Sequence, residues 1–542
     1  MRALLVNAKA DFSFWTLPES CRLMGAKTVM PSLGLVTVAA LLPPEWKLRL
    51  VDLNTRELVA DDWDWADIVL ISGNIGHRTN LLKTIEEAAQ RGKQVVAGGP
   101  YPTAVPEEVM ETGAAFVVRG EGENTVPLLL DALKEGRTHG IIQNQERPDL
   151  TASPVPRFSL LSPMDYDVLQ VQTSRGCPFD CEFCDIAALY GRKQRHETPD
   201  QVILELQALY DLGWRSEVFI SDDNFIGSRT HARAILDKLI EWQRSRGQPL
   251  SFMTQASINL GKDLEMIDLM TAASFGKIFI GLESVDEDVL KLAHKYQNLR
   301  NSMAECVETI NENGLTVVGS FVIGFDGERK GTDRRISAFV EETGIPIVMV
   351  NVLNALPGTA LWTRLEREGR LLENMQVGEN MIGDQINFVP TRPDSEILDE
   401  VAGVWIYLYE PERFLKRAAR YYVRMRPTRA ALGMRNPASD PSVPGAKAPL
   451  KRKFRVARAF LRLVWALGVR SPYRRHFWSQ LLNVYRKNPS RAVLFLHACG
   501  LSLNMFAIRD MVLKAQALSR DERHLKARPI TRAPRSSIQA GS

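Results

Sequence analysis

Short apolar runs alternate with longer amphipathic stretches from the start of the chain. ALLVN at 3–7, KLRLVDL at 47–53, DIVLIS at 67–72, QVVAGG at 94–99 and AFVVRG at 115–120 are nearly unbroken in Val, Ile and Leu. Strands buried on both faces of a parallel sheet have this pattern, and the stretches between them, such as LGLVTVAALL and TNLLKTIEEAAQRG, have helical length. Residues 1–140 are therefore predicted to form a doubly wound, Rossmann-like α/β domain whose ligand lies at the carboxyl ends of the strands.

A proline-punctuated linker is expected at 141–164, after which the alternation resumes in DVLQVQTS, EVFISDD, LSFMTQASI, KIFIGLES, LTVVGSFVIGF and PIVMVNVL. Six strand and helix repeats are too few for a closed eight-stranded barrel, so residues 165–394 are predicted to form a partial (β/α)6 barrel with its chemistry at the strand ends. Residues 395–517 read as a basic helical region with a flexible linker near 433–450, and 518–542 as a disordered tail. The stretch AVLFLHACGLSLNMFAI is 17 residues long and contains His497 and Asn504. Being shorter than the roughly 20 residues a membrane span needs, it is expected to cap the barrel, with a position on a membrane surface as the other reading.

At 542 residues and 45% hydrophobic, the chain has enough material for two or three cores without disulfide staples. MRALLVNAKADF carries no readable leader, so a reducing cytoplasm is the expected compartment, with a peripheral position at the inner membrane surface as an extension. The net charge of +4 hides an asymmetry: residues 411–542 carry 29 Lys and Arg against 5 Asp and Glu, a balance of +24, leaving −20 for residues 1–410. A basic segment suits nucleic acid, anionic lipid or an acidic partner, and charge alone does not choose among them.

Within this framework TSRGCPFDCEFCDI gathers Cys177, Cys181 and Cys184 into one loop, while Cys21, Cys306 and Cys499 are scattered and read as small buried hydrophobes. In a reducing compartment such a cluster is a metal or catalytic site. Three thiolates leave one iron of a four-iron cubane without a protein ligand, whereas electron-transfer clusters and structural zinc sites take a fourth. His196, twelve residues on, is the nearest residue in sequence that could supply one.

The Cys-x3-Cys-x2-Cys spacing, with Phe183 just ahead of the last cysteine and the loop placed after the first barrel strand, resembles the radical S-adenosylmethionine (SAM) superfamily. The resemblance implies a 4Fe–4S cluster on Cys177, Cys181 and Cys184, whose open iron binds the amino and carboxylate groups of SAM. Reductive cleavage by an electron from a low-potential donor then gives a 5'-deoxyadenosyl radical. The resemblance also implies SAM contacts from Phe183, from Ser221, Asp222 and Asp223 after the second barrel strand, from Gln255 and Ser257 after the third, and from Glu283 and Ser284 after the fourth. The two aspartates are the expected receivers of the methionine ammonium.

PSLGLVTVAALLP, GGPYPTAVPEEV and VVRGEGENTVPLLL resemble the cobalamin-binding half of cobalamin-dependent radical SAM proteins. Gly98, Gly99, Gly120 and Gly122 would let backbone approach a bulky flat ligand, with Ser72 and Gly73 ending the third strand and Pro100 and Glu121 in the same motifs. No Asp-x-His-x-x-Gly loop is present, so cobalamin is expected without a histidine lower ligand, and His77 is assigned a surface or hydrogen-bonding role.

LYGRKQR, DDNFIG, IFIGLES, FVIGFDGE and LPGTALWTRLEREGRL extend the resemblance to a branch with an added helical C-terminal region, which includes hopanoid C-2 methylases. It implies methyl transfer to an unactivated carbon of a hydrophobic substrate, best specified as a hopanoid-type lipid; the basic, aromatic C-terminal helices could meet a membrane where such a substrate resides. Two alternatives stay open: radical rearrangement, cyclisation or reduction without methyl transfer, and an RNA-modifying enzyme, for which charge is the sole nucleic-acid signal.

Overall fold

The computed structural model describes residues 1–372, 385–440, 442–445 and 450–526. Its first sheet has six parallel strands: β1 (Arg2–Asn7), β2 (Lys47–Asp52), β3 (Ile68–Ser72), β4 (Gln94–Gly98), β5 (Phe116–Arg119) and β6 (Gly140–Gln143), in the order β2-β1-β3-β4-β5-β6. Alternate side chains enter two separate cores, Leu4, Val6, Val69 and Ile71 on one face and Ala3, Leu5, Ile68 and Leu70 on the other. Burial on both faces is why these strands read as unbroken apolar runs. The strand order reverses between β1 and β3, which opens a crevice at their carboxyl ends. β6 is additional to the five predicted strands: GIIQ is only four residues long and runs straight into a proline-rich segment.

The second sheet is also wholly parallel. β7 (Leu169–Val171) leads to a two-stranded ribbon, β8 (Ser174–Arg175) and β9 (Arg195–His196), and then come β10 (Glu217–Ile220), β11 (Ser251–Gln255), β12 (Phe275–Glu283), β13 (Thr316–Ile323) and β14 (Ile347–Val352). The order β14-β13-β12-β11-β10-β7 is a partial barrel with two edges. The C-terminal helices cover one of them. From helix Asp394–Leu408 and the residue after it, Trp405 Nε1 donates to the Val350 carbonyl at 3.0 Å, and the Tyr409 hydroxyl accepts from Val348 N–H at 2.8 Å and donates to its carbonyl. Both residues lie on β14, so the helix satisfies backbone groups that an open edge strand would leave unpaired.

Helix Pro411–Arg424 follows, and then helix Leu450–Leu463, a π-helical turn at Val464–Arg470 and helix Arg474–Lys487. The last helix, Ala492–Lys526, continues past Leu518, where the sequence suggests a disordered tail; residues 527–542 of that tail, and 441 and 446–449 of the expected linker, lie outside the described residues. The 17-residue apolar stretch lies within a longer helical segment. The helical segment Pro489–Ala515 spans 27 residues and its most apolar 18-residue window has a mean hydropathy of 1.5, long and apolar enough to cross a membrane, yet half of that window is buried in the fold, including Phe495, Cys499, Met505 and Phe506.

Candidate active site between the two sheets

The carboxyl ends of the two sheets face a shared cavity of about 720 Å3. Ser72, Gly73, Gly98, Gly99, Pro100, Gly120, Glu121 and Gly122 line it from the first domain, and Ser221, Asp223 and Gln255 from the barrel. Its apolar wall includes Trp15, Val29, Met30, Leu33, Phe219 and Leu356, and the Trp15 ring reaches across to Phe279 of β12 at 5.2 Å between centroids. His77 also lines the cavity, half-buried, with Nδ1 bonded to the Asn74 side chain at 2.7 Å. Burial pushes its pKa down to about 4, so the ring is neutral at neutral pH.

The cysteine loop begins at Gly176, whose φ is +94°. A Cβ there would lie 2.8 Å from the Gly191 carbonyl oxygen, so the position requires glycine. Gly176 N–H donates to Asp223 at 2.9 Å, and Cys177 N–H donates to the Gly191 carbonyl at 3.2 Å. Burial pushes the Cys177 and Cys184 thiols up, so a bound metal would be needed to hold them as thiolates. Among the described residues no three His, Cys, Asp or Glu side chains are gathered tightly enough for a single metal ion. A cubane sets its irons at separate corners, one per thiolate, and three cysteines on one loop fit that donor set.

Beside the loop, Lys295 pairs with Glu283 at 2.9 Å and lies 5.9 Å from the centroid of the Phe183 ring, which meets Phe325 edge-on. Gln297 Nε2 donates to Cys181 Sγ at 3.5 Å. Glu283 sits at a register shift in β12 with φ +62°, a strained position for a non-glycine residue and one that turns its carboxylate toward Lys295.

The implied SAM contacts divide under this geometry. Asp223 faces the cavity, with burial pushing its carboxyl up to about 7 while Gly176 N–H draws it down. Asp222 does not: fully buried, it accepts from Thr173 N–H (2.7 Å), Thr173 Oγ1 (2.5 Å), Ser174 N–H (3.0 Å) and Ser174 Oγ (2.8 Å). Four donors saturate this carboxylate, which pins the end of β7 to the end of β10 and has no capacity left for a ligand ammonium. Ser257 is engaged through its amide and hydroxyl with Asn224, and the Ser284 hydroxyl, buried, accepts from Asp286 N–H at 3.1 Å. The Glu283 carboxylate is held by Lys295.

Glu121 is likewise committed. It accepts from Arg175 at 2.8 Å and from Arg195 at 2.8 and 3.0 Å, while Arg175 also forks onto Glu123 at 2.8 and 3.0 Å. Burial pushes Glu123 up, but Arg175 more than offsets this and holds it below the usual carboxylate range. These four residues join the first domain to the ribbon around the cysteine loop. Sequence reasoning missed Arg175, Arg195, Lys295 and Gln297 because each finds its partner on a distant segment. Arg175, next to the glycine before the first cysteine, had the best positional signal.

Three family models match successive parts of the chain: a B12 binding domain over 22–130, the radical SAM superfamily over 171–336, and a domain of unknown function (DUF4070) over 359–517. An uncharacterised methyltransferase of Synechocystis sp. is 41% identical over 513 residues, covering 94% of this chain and 92% of the relative. This chain belongs to the cobalamin-dependent radical SAM methyltransferases. The hopanoid C-2 methylase of Rhodopseudomonas palustris is 34% identical, with 88% of each chain covered. Two solved structures share the fold of this methyltransferase at 17% identity. The cobalamin-dependent radical SAM enzyme OxsB, with aqua-cobalamin and SAM bound, matches with a TM-score of 0.57 over 96% of this chain and 81% of its own. The radical SAM methyltransferase TsrM of Kitasatospora setae, with cobalamin and a 4Fe–4S cluster bound, matches with a TM-score of 0.55 over 90% and 99%.

Proposed function

We propose that this methyltransferase methylates an unactivated carbon of a hopanoid-type lipid, with Cys177, Cys181 and Cys184 holding the cluster. The observation that carries this reading is the cavity between the sheets, whose apolar wall suits a rigid hydrocarbon skeleton. The 34% identity to a hopanoid C-2 methylase across 88% of both chains supports the same substrate class. When bound, the cluster with SAM supplies a carbon radical and cobalamin supplies the methyl group.

The chain's own task is placement and the exclusion of water. Asp223, Ser221 and Gln255 are proposed to receive SAM from the barrel side, with Asp223 ionising as it meets the ammonium. Phe183 and Lys295 back the cluster loop. Ser72, Gly73, Gly98, Gly99, Pro100, Gly120 and Gly122 are proposed to line the cobalamin site, without a histidine lower ligand because the sequence has no Asp-x-His-x-x-Gly loop. No side-chain base is needed for hydrogen abstraction by a carbon radical.

The test is anaerobic turnover with reconstituted cluster, cobalamin, SAM, a low-potential reductant and a bacterial lipid extract. Equal lipid-dependent yields of 5'-deoxyadenosine and S-adenosylhomocysteine, together with a lipid heavier by one methylene, are expected. Deoxyadenosine without S-adenosylhomocysteine would overturn methyl transfer to lipid, and products independent of lipid would overturn the substrate.

A further inference from the structure

Residues 450–487 contain eleven Lys and Arg and no Asp or Glu. They also expose an unusual amount of apolar surface. On helix Leu450–Leu463 and the π turn after it, Leu450, Phe454, Leu461 and Trp465 are 69, 67, 65 and 61% exposed. Their spacings of four, seven and four residues place them along one helical face. Helix Arg474–Lys487 repeats the pattern with Trp478, Leu482 and Tyr485 at 45, 45 and 63%. Trp478 joins the two elements. Its Nε1 donates to the Gly468 carbonyl at 2.9 Å, and a Cβ on Gly468 would lie 3.0 Å from the indole ring, so glycine is what lets them close together.

Exposed basic residues flank both stripes: Lys453, Arg458, Arg462 and Arg470 on the first, Arg474, Arg475, Arg486 and Lys487 on the second. Not every cation is free to face a partner. Arg455 is buried and donates to the carbonyls of Met24 (2.8 Å), Met164 (3.2 Å) and Tyr166 (3.0 Å), which fastens the first helix to the N-terminal domain and to the segment that leads into the barrel. Arg462 also reaches back, to the Arg22 carbonyl at 2.8 Å. The helix they dock on, Pro18–Met24, continues from Trp15 and Thr16, which line the cavity.

We propose that residues 450–487 form an interfacial docking face for an anionic lipid bilayer, set beside the rim of the substrate cavity. The aromatic and aliphatic stripes lie at the depth of the headgroup and acyl boundary, and the flanking cations contact anionic headgroups. Charge selects this occupant. A second copy of the chain would bring two wholly cationic faces together. Nucleic acid would use the cations and aromatic rings, but it gains nothing from the exposed aliphatic side chains of Leu450, Val456, Leu461, Val469 and Leu482. An acyl layer accommodates both. The face is independent of the substrate assignment, so its test does not depend on turnover.

The cofactor-loaded enzyme is sedimented with vesicles of phosphatidylcholine alone or mixed with phosphatidylglycerol. Binding is expected only to the mixed vesicles, weakening as salt rises, with brominated acyl chains quenching Trp465 and Trp478. Two variants at exposed positions, Phe454→Ser with Trp465→Ser and Lys453→Glu with Arg475→Glu, should each weaken binding by roughly tenfold, with an unchanged circular dichroism spectrum. The proposal is overturned by equal binding to both vesicle types, by full binding of either variant, or by displacement from vesicles by total RNA without any quenching by brominated lipid.

Discussion

At the scale of single residues, the surroundings of the cysteine loop are more informative than the cysteines. Gln297 is buried with its amide on Cys181 Sγ, and a hydrogen bond to a cluster sulfur stabilises the more negative, reduced state. Gln297→Leu is therefore expected to lower the reduction potential of the reconstituted cluster, read by a redox titration followed by electron paramagnetic resonance. An unchanged potential with a full iron content would mean that the amide serves packing alone. Asp222 and Asp223 illustrate the limit of sequence at this scale. They are adjacent carboxylates at one strand end, yet one is saturated by Thr173 and Ser174 and the other faces the cavity. Only the three-dimensional positions of the donors separate their roles.

At the scale of elements, the ion pairs of Arg175 tie the ribbon beside the cluster loop to the helix that begins at Gly122 in the first domain. Arg175 and its partners have between 5 and 13% of their side chains exposed, and breaking a buried pair leaves an uncompensated charge at a cost of about 3 kcal/mol or more. Arg175→Met should lower the midpoint of thermal unfolding and speed proteolytic cutting between residues 144 and 164, because the two domains lose a shared clamp. Most of the strands were legible in the sequence, since burial on both faces writes them as apolar runs. β6 and the ribbon of β8 and β9 were not, being four residues or fewer and held by tertiary partners. The helix to Lys526 was obscured for a related reason: its last turns are polar, and polarity was read as disorder.

For the whole molecule, a buried acidic pair behind the barrel wall sets an expected pH dependence. Burial pushes Glu197 up to about 8 and Glu205 well upward, Glu197 adding to the shift of Glu205, and each keeps a carboxyl oxygen with no partner among the described residues. Glu197 is therefore mostly protonated in the fold at neutral pH and the shift of Glu205 favours its protonated form in the same direction, while an unfolded glutamate titrates at about 4.3. A raised folded value contributes stability below the unfolded value and loses it as pH rises through the folded one. The unfolding midpoint should thus fall from about pH 5 to about pH 8, and Glu205→Gln should flatten that slope. An equally steep slope in the variant would assign the dependence to other groups.

The clamp at Arg175 has a further consequence for assembly. Free energy exchanged between two sites is symmetric: whatever loading the corrin pocket contributes to order in the cysteine loop, loading the loop returns to the corrin pocket by the same factor. Cobalamin bound in advance should therefore raise retention of the cluster by the same factor as the bound cluster raises retention of cobalamin, and Arg175→Met should reduce both effects together.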